Sequence, residues 1–94
     1  MTPFDAAGRA LAGAAVISEL QARGTLRLVC KDAGLDPATA TKDEWTDALS
    51  RGLLAALARR RLRSHDHVVK LVLDAVRAAD EVELAGYELF RDLD

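Results

Sequence analysis

Residues 41–63 read TKDEWTDALSRGLLAALARRRLR, and this stretch decides the fold. Thr41 and Glu44 stand at the spacing where a Thr hydroxyl and a Glu carboxylate satisfy two orphan N–H groups at a helix start. Trp45, Ala48, Leu49, Leu53, Ala56 and Leu57 follow at i, i+3/i+4, i+7/i+8 spacing, which puts them on one helical face aimed at a core. Gly52 falls inside this run and predicts either a kink or a division into two helices. The stretch ends in Arg59, Arg60, Arg61 and Arg63, too polar to bury. One segment therefore specifies a helical bundle and a basic cluster on its surface.

Toward the N-terminus the same logic applies. Thr2 reads as an N-cap, Pro3 as the first helical residue and Asp5 as the acid of the first turn. Phe4, Ala7, Leu11, Ala14 and Ala15 form a stripe that Ile17 and Leu20 extend, so one helix is expected to run to Arg23 and stop at Gly24. Gly8 and Gly13 weaken it by about 1 kcal/mol each relative to alanine, marking a bend or a close helix approach. Thr25 is the expected cap of a short helix over 26–33, ended by Gly34 and plugged by Leu35. Asp36 and Pro37 open a single turn over 37–40.

Beyond the arginines, Ser64 is the next cap candidate. It precedes a helix with Val68, Val69, Leu71, Val72, Ala75, Val76 and Ala79 at helical spacing. Asp80 and Glu83 repeat the capping-box spacing, and Val82, Ala85, Leu89, Phe90 and Leu93 give a final helix its apolar face. No Asn-Gly or Asp-Gly hairpin signal interrupts the helical periodicity. The expectation is all-α: a compact bundle of five to seven short helices, one domain over residues 1–94. The last apolar residue lies within about a turn of Asp94, as in a domain trimmed from a longer protein, and a complete small protein would read the same.

Ninety-four residues suffice for one core without metals or disulfides. Half the residues are hydrophobic but only 4% aromatic, and small side chains leave little room for a large ligand cavity. The net charge of −2 hides a division. Residues 1–73 hold 11 bases and 8 acids, whereas residues 74–94 hold 2 bases and 7 acids. Such a distribution suits contact between copies or with a protein partner better than general attraction to nucleic acid. No window approaches a membrane span and no leader-like segment opens the chain, which predicts a cytoplasmic protein with no membrane partner. Cys30 is the single cysteine; beside Leu28 and Val29 it reads as a buried, inert thiol.

Reactive chemistry finds little to build on. His65 and His67 are two apart, so a helix turns them to different sides, and no metal is expected. Ser18, Ser50 and Ser64 stand in no nucleophile motif, and phosphate-cradling Gly-rich loops are absent from the sequence. Asp43, Asp47, Asp80 and Glu83 are accounted for by helix N-termini, where negative charge is favourable. The chain is therefore expected to be no enzyme and to take no cofactor or small-molecule substrate.

The arginines carry the functional reading. Arg59 and Arg63 share a face, Arg60 is offset and Arg61 lies nearly opposite. Arginine near a helix C-terminus complements the dipole, and its planar fork also pairs bidentately with carboxylates. A helix-turn-helix-like nucleic-acid binder is an alternative, but the chain has no Asn and only Gln21 as Gln, a poor set for reading base edges. A phage or structural protein that only assembles is another.

Over residues 20–62 the chain resembles the effector-associated domains of bacterial conflict systems, within the death-like superfamily that includes caspase-recruitment domains. The resemblance lies in Lys31-Asp32-Ala33-Gly34-Leu35-Asp36 closing a helix, a short loop, then Trp45 opening the next, with Leu49, Gly52, Leu53, Leu54 and Leu57 following. It implies a six-helix adaptor in bacterial defence that binds like domains and tethers an effector such as a protease, nuclease or pore-former to a sensor. It also implies contacts between oppositely charged surfaces. Arg59, Arg60 and Arg63 would form the basic patch, with Asp80, Glu81, Glu83 and Glu88 as acidic counterparts.

Overall fold

The computed structural model describes residues 1–62 and 66–80. Among these the architecture is all-helical: α1 (Pro3–Ala15), α2 (Glu19–Ala33), α3 (Lys42–Arg59) and α4 (Asp66–Ala78). Each helix packs on the next and α4 returns to α1, closing a four-membered ring. The last helix of the sequence reading lies outside the described residues, as does the Ser64 cap.

α3 forms as its sequence dictates. Glu44 N–H donates to Thr41 Oγ1 at 3.2 Å, and Thr41 N–H donates to Glu44 Oε1 at 2.9 Å. Trp45, Ala48, Leu49, Leu53, Ala56 and Leu57 are its buried residues. Gly52 does not divide the helix; it sits against α2, where an added β-carbon would stand 3.6 Å from Val29. That is ordinary van der Waals contact, so the helix runs through Gly52 without needing its bare backbone.

The N-terminal half departs from the pattern expected of it. α1 begins at the Thr2 cap, with Asp5 N–H donating to Thr2 Oγ1 at 3.2 Å, but stops at Ala15. Val16 turns left-handed at φ 54° and ψ 54°, and Ile17 N–H donates back to Ala12 O at 3.0 Å. Ser18 then caps α2: Gln21 N–H donates to its Oγ at 3.1 Å and Ser18 N–H donates to Gln21 Oε1 at 3.2 Å. That reciprocal pair fixes a helix start seven residues before the expected Thr25 cap. Gly24 consequently lies inside α2, and Thr25 is buried with its hydroxyl donating to Gln21 O at 2.9 Å. Leu20 leaves the α1 stripe altogether and is 77% exposed.

Gly34 ends α2 as expected, at φ 73°, with Leu35 N–H donating to Cys30 O at 2.8 Å and the Leu35 side chain against the core. Asp36 makes the following turn: its Oδ1 accepts from Ala38 N–H and its carbonyl from Ala40 N–H, both at 2.9 Å. On α4 the buried residues are Val68, Val72 and Val76, while Leu71 faces outward.

The core runs the length of the bundle from Leu11, Leu26, Leu49, Leu53 and Leu57 to Val72 and Val76. Trp45 seals one end, stacked on Phe4 with ring centroids 5.8 Å apart and planes at 11°. Arg23 and Arg27 lie over the same Phe4 ring at 5.7 and 5.4 Å. Two contacts define that end. Lys42 Nζ donates to Arg77 O at 2.6 Å, joining the start of α3 to the end of α4. The Met1 ammonium meets Asp80 at 2.6 Å, joining the start of α1 to the second residue after α4. The C-terminus of α3 lies against α2, where Arg59 pairs with Asp32 and Arg60 reaches Gly24.

Candidate functional site

The basic cluster stands where α3 stops. Arg60 is the C-cap residue, and Arg61 follows in left-handed backbone at φ 56°, its N–H donating to Ala58 O at 3.1 Å. Leu62 N–H then donates to Leu57 O at 2.9 Å and its side chain folds back against the core. Adjacent arginines are thus driven apart: the helix ends under them while Leu62 anchors the turn.

Their environments differ. Arg59 Nη2 donates to Asp32 Oδ2 of α2 at 3.0 Å, an exposed ion pair worth about 0–1 kcal/mol. The Arg60 guanidinium rests on α2 at Gly24, with Nη2 3.6 Å from where a β-carbon would stand. Among the described residues neither Arg60 nor Arg61 has a carboxylate partner, and both are exposed. Arg63 lies outside the described residues.

Val16, which ends α1, and Leu20, in the first turn of α2, are large hydrophobic residues facing solvent. They are 72% and 77% exposed, the two most exposed large hydrophobic side chains among the described residues. Leu20 is one helical turn before Gly24 and on the same face of α2, so it neighbours the place where Arg60 rests. Periodicity alone assigned Leu20 to the interior; the Ser18-x-x-Gln21 capping spacing was the signal that would have placed it outside.

Of the acidic residues expected to face the basic patch, Asp80 is described and Glu81, Glu83 and Glu88 are not. Asp80 Oδ2 accepts from the Met1 ammonium at 2.6 Å, and its N–H donates to Met1 O at 3.0 Å. The hydrogen bond from that ammonium, and then its charge, hold the Asp80 carboxyl below the usual carboxylate range. Arg59 and Asp80 thus mark opposite ends of the bundle and do not meet within one molecule.

A half-open groove of about 510 Å³ separates α2 from α3, lined by Val29, Ala33, Ala48, Gly52 and Ala55 with Asp32, Asp47, Arg51 and Arg59. Its four charges form two ion pairs, Asp32–Arg59 and Asp47–Arg51, each at 3.0 Å, so it carries no net charge. Cys30 is fully buried, and desolvation, with a smaller contribution from the Asp36 carboxylate, pushes its thiol up to about 11. His67 is exposed on the first turn of α4, and His65 lies outside the described residues. Among the described residues no three His, Cys, Asp or Glu side chains gather closely enough to hold a metal ion, and no helix is long and apolar enough to cross a membrane.

No protein-family model, curated protein or solved structure matches the chain.

Proposed function

We propose that this chain is a protein–protein interaction domain of the death-like type, a cytoplasmic adaptor that recruits an effector by contact between oppositely charged surfaces. The single observation that carries the reading is the surface at the end of α3. Arg60 and Arg61 stand exposed without carboxylate partners among the described residues, and the exposed Leu20 lies one turn from Gly24, where the Arg60 guanidinium rests. An exposed leucine close to an unpaired guanidinium group suits a partner that is both acidic and apolar, and arginine is enriched at protein interfaces for its bidentate pairing with carboxylates. In this reading the partner is a like domain, on a second copy or on an effector or sensor of a bacterial defence system. The domain contributes recruitment and no reaction of its own.

The test is charge reversal. Arg60→Glu with Arg63→Glu is expected to abolish capture of the partner, or self-association, while circular dichroism stays helical. Unchanged pull-down by the double variant overturns the charge mechanism. Affinity for DNA that falls steeply with salt would favour a nucleic-acid binder instead, because each neutralised phosphate adds about −0.9 to the log–log slope.

A further inference from the structure

We infer that the outer face of α2 docks an acidic helix of a partner protein, whose carboxylates lie along Arg23, Arg27, Lys31 and Arg60 while an apolar side chain meets Leu20. The inference rests on the adaptor reading and names the surface and the partner's chemistry.

The face is set first by the register of one helix. At 3.6 residues per turn, Leu20, Arg23, Gly24, Arg27 and Lys31 fall within about a third of the circumference of α2. α2 packs on α1 and on α3 by its other sides, and Leu20, Arg27 and Lys31 are exposed along this one.

Contacts then gather the cations. The guanidinium groups of Arg23 and Arg27 lie over the same Phe4 ring, at 5.7 and 5.4 Å. Phe4 is stacked on the fully buried Trp45, so both arginines rest on a platform fixed to the core. Arg60 reaches the same face from the end of α3, its Nη2 3.6 Å from where a β-carbon would stand on Gly24. Arginines held in place lose less freedom when a partner binds.

The fold leaves this charge largely unanswered. Like charges four apart on a helix oppose its formation, and Arg23–Arg27 and Arg27–Lys31 are both such pairs. Asp5 answers Arg23 at 3.4 Å, whereas Asp32, next to Lys31, is taken by Arg59 at 3.0 Å. Among the described residues Arg27, Lys31 and Arg60 have no carboxylate partner.

An acidic helix fits this face better than an extended peptide or a nucleic acid. The side of a helix offers no free backbone N–H or C=O with which an extended peptide could pair. Arg23, Arg27 and Lys31 recur every four residues, a rise of about 6 Å, which carboxylates four apart on a helix packed alongside reproduce. Leu20 continues the row with an apolar side chain that a phosphate backbone does not use. Gln21, the chain's one candidate for reading base edges by amide, is engaged at the Ser18 cap.

The experiment titrates the full-length chain against a fluorescein-labelled, stapled alanine-rich helix at low salt and reads anisotropy. That peptide carries glutamate at every fourth position and a leucine on the same face. A control peptide of identical composition scatters its glutamates around the helix, and a single-stranded DNA oligomer is the remaining probe. The aligned peptide is expected to bind about tenfold or more tightly than the scattered one. Arg27→Glu with Lys31→Glu is expected to remove that preference, and Leu20→Ala to reduce it. Should the charge reversal lose helicity, Arg27→Gln with Lys31→Gln replaces it at the same exposed positions. No binding of the aligned peptide, equal binding of the two peptides, a reversal variant that binds as wild type does, or a wild type that prefers the DNA overturns the inference. If the Arg27/Lys31 variant still captures the partner that Arg60→Glu/Arg63→Glu loses, the α2 face is wrong and the adaptor reading stands.

Discussion

The guanidinium of Arg60 lies across the backbone of α2 at Gly24, its Nη2 3.6 Å from the position a β-carbon would take. That separation is ordinary van der Waals contact, so the glycine is not required to admit the arginine. Gly24→Ala is accordingly expected to stabilise the fold by about 0.5–1 kcal/mol, the helix-interior cost of glycine. In thermal unfolding this is a rise of several degrees, about 4–8 °C per kcal/mol for a domain of this size. A lowered melting temperature would show that Arg60 needs the bare backbone. In that case the end of α3 is held more tightly than its contacts indicate.

Val16 makes the opposite kind of test, because there glycine is the better residue. With φ at 54° and a side chain that buries nothing, Val16→Gly relieves left-handed strain of about 1–2 kcal/mol. Part of that gain is offset by the greater freedom of glycine in the unfolded chain. A net stabilisation of roughly 1 kcal/mol in denaturant titration is expected. A lowered denaturation midpoint for Val16→Gly would show that the left-handed valine is not strained.

How much of this was legible in the chain varies by segment, for physical reasons. α3 was readable almost residue by residue, because its capping box and its apolar face agree and nothing longer-ranged competes. α1 and α2 were not, because Ile17 and Leu20 continue the apolar spacing of α1 straight through the break at Val16. A left-handed valine gives no composition cue, unlike the Gly34 that ends α2. Gly24 and Gly52 looked like punctuation and proved to be interior, each at a place where another element approaches the helix. At the candidate site the arginines were plain from the sequence. Their apolar company was not, since periodicity had already assigned Leu20 to the core. The division of charge between the two parts of the chain was legible; that Arg60 and Asp80 stand at opposite ends required the packing of α1 on α4.

Trp45 tests the sealed end of the core. It is fully buried, and its Nε1 has no hydrogen-bond partner among the described residues. Its ring stacks on Phe4 instead, which satisfies the face of the indole and not its N–H. Trp45→Ala should cost about 3–5 kcal/mol, the usual range for a large aromatic in a core. Trp45→Phe should cost much less, below about 2 kcal/mol. It keeps a stacking partner for Phe4 and removes an orphan donor whose burial costs roughly 1–3 kcal/mol. Equal losses for the two variants in urea titration would mean that the indole N–H is satisfied.

Cys30 supplies a pH dependence whose sign is fixed. Burial pushes its thiol from 9.0 to about 11, so the folded state favours the protonated form more than the unfolded state does. Stability tied to that proton is present in full below pH 9 and is lost as pH rises through 11. The unfolding midpoint in guanidinium should therefore fall across that window in wild type, and fall less in Cys30→Ala, measured from that variant's own lower starting point. At pH 8 the native thiol should resist an alkylating reagent and react once denaturant exposes it. Rapid labelling of native protein at pH 8 would mean that the core around Cys30 opens readily, and the alkaline window would then vanish with it.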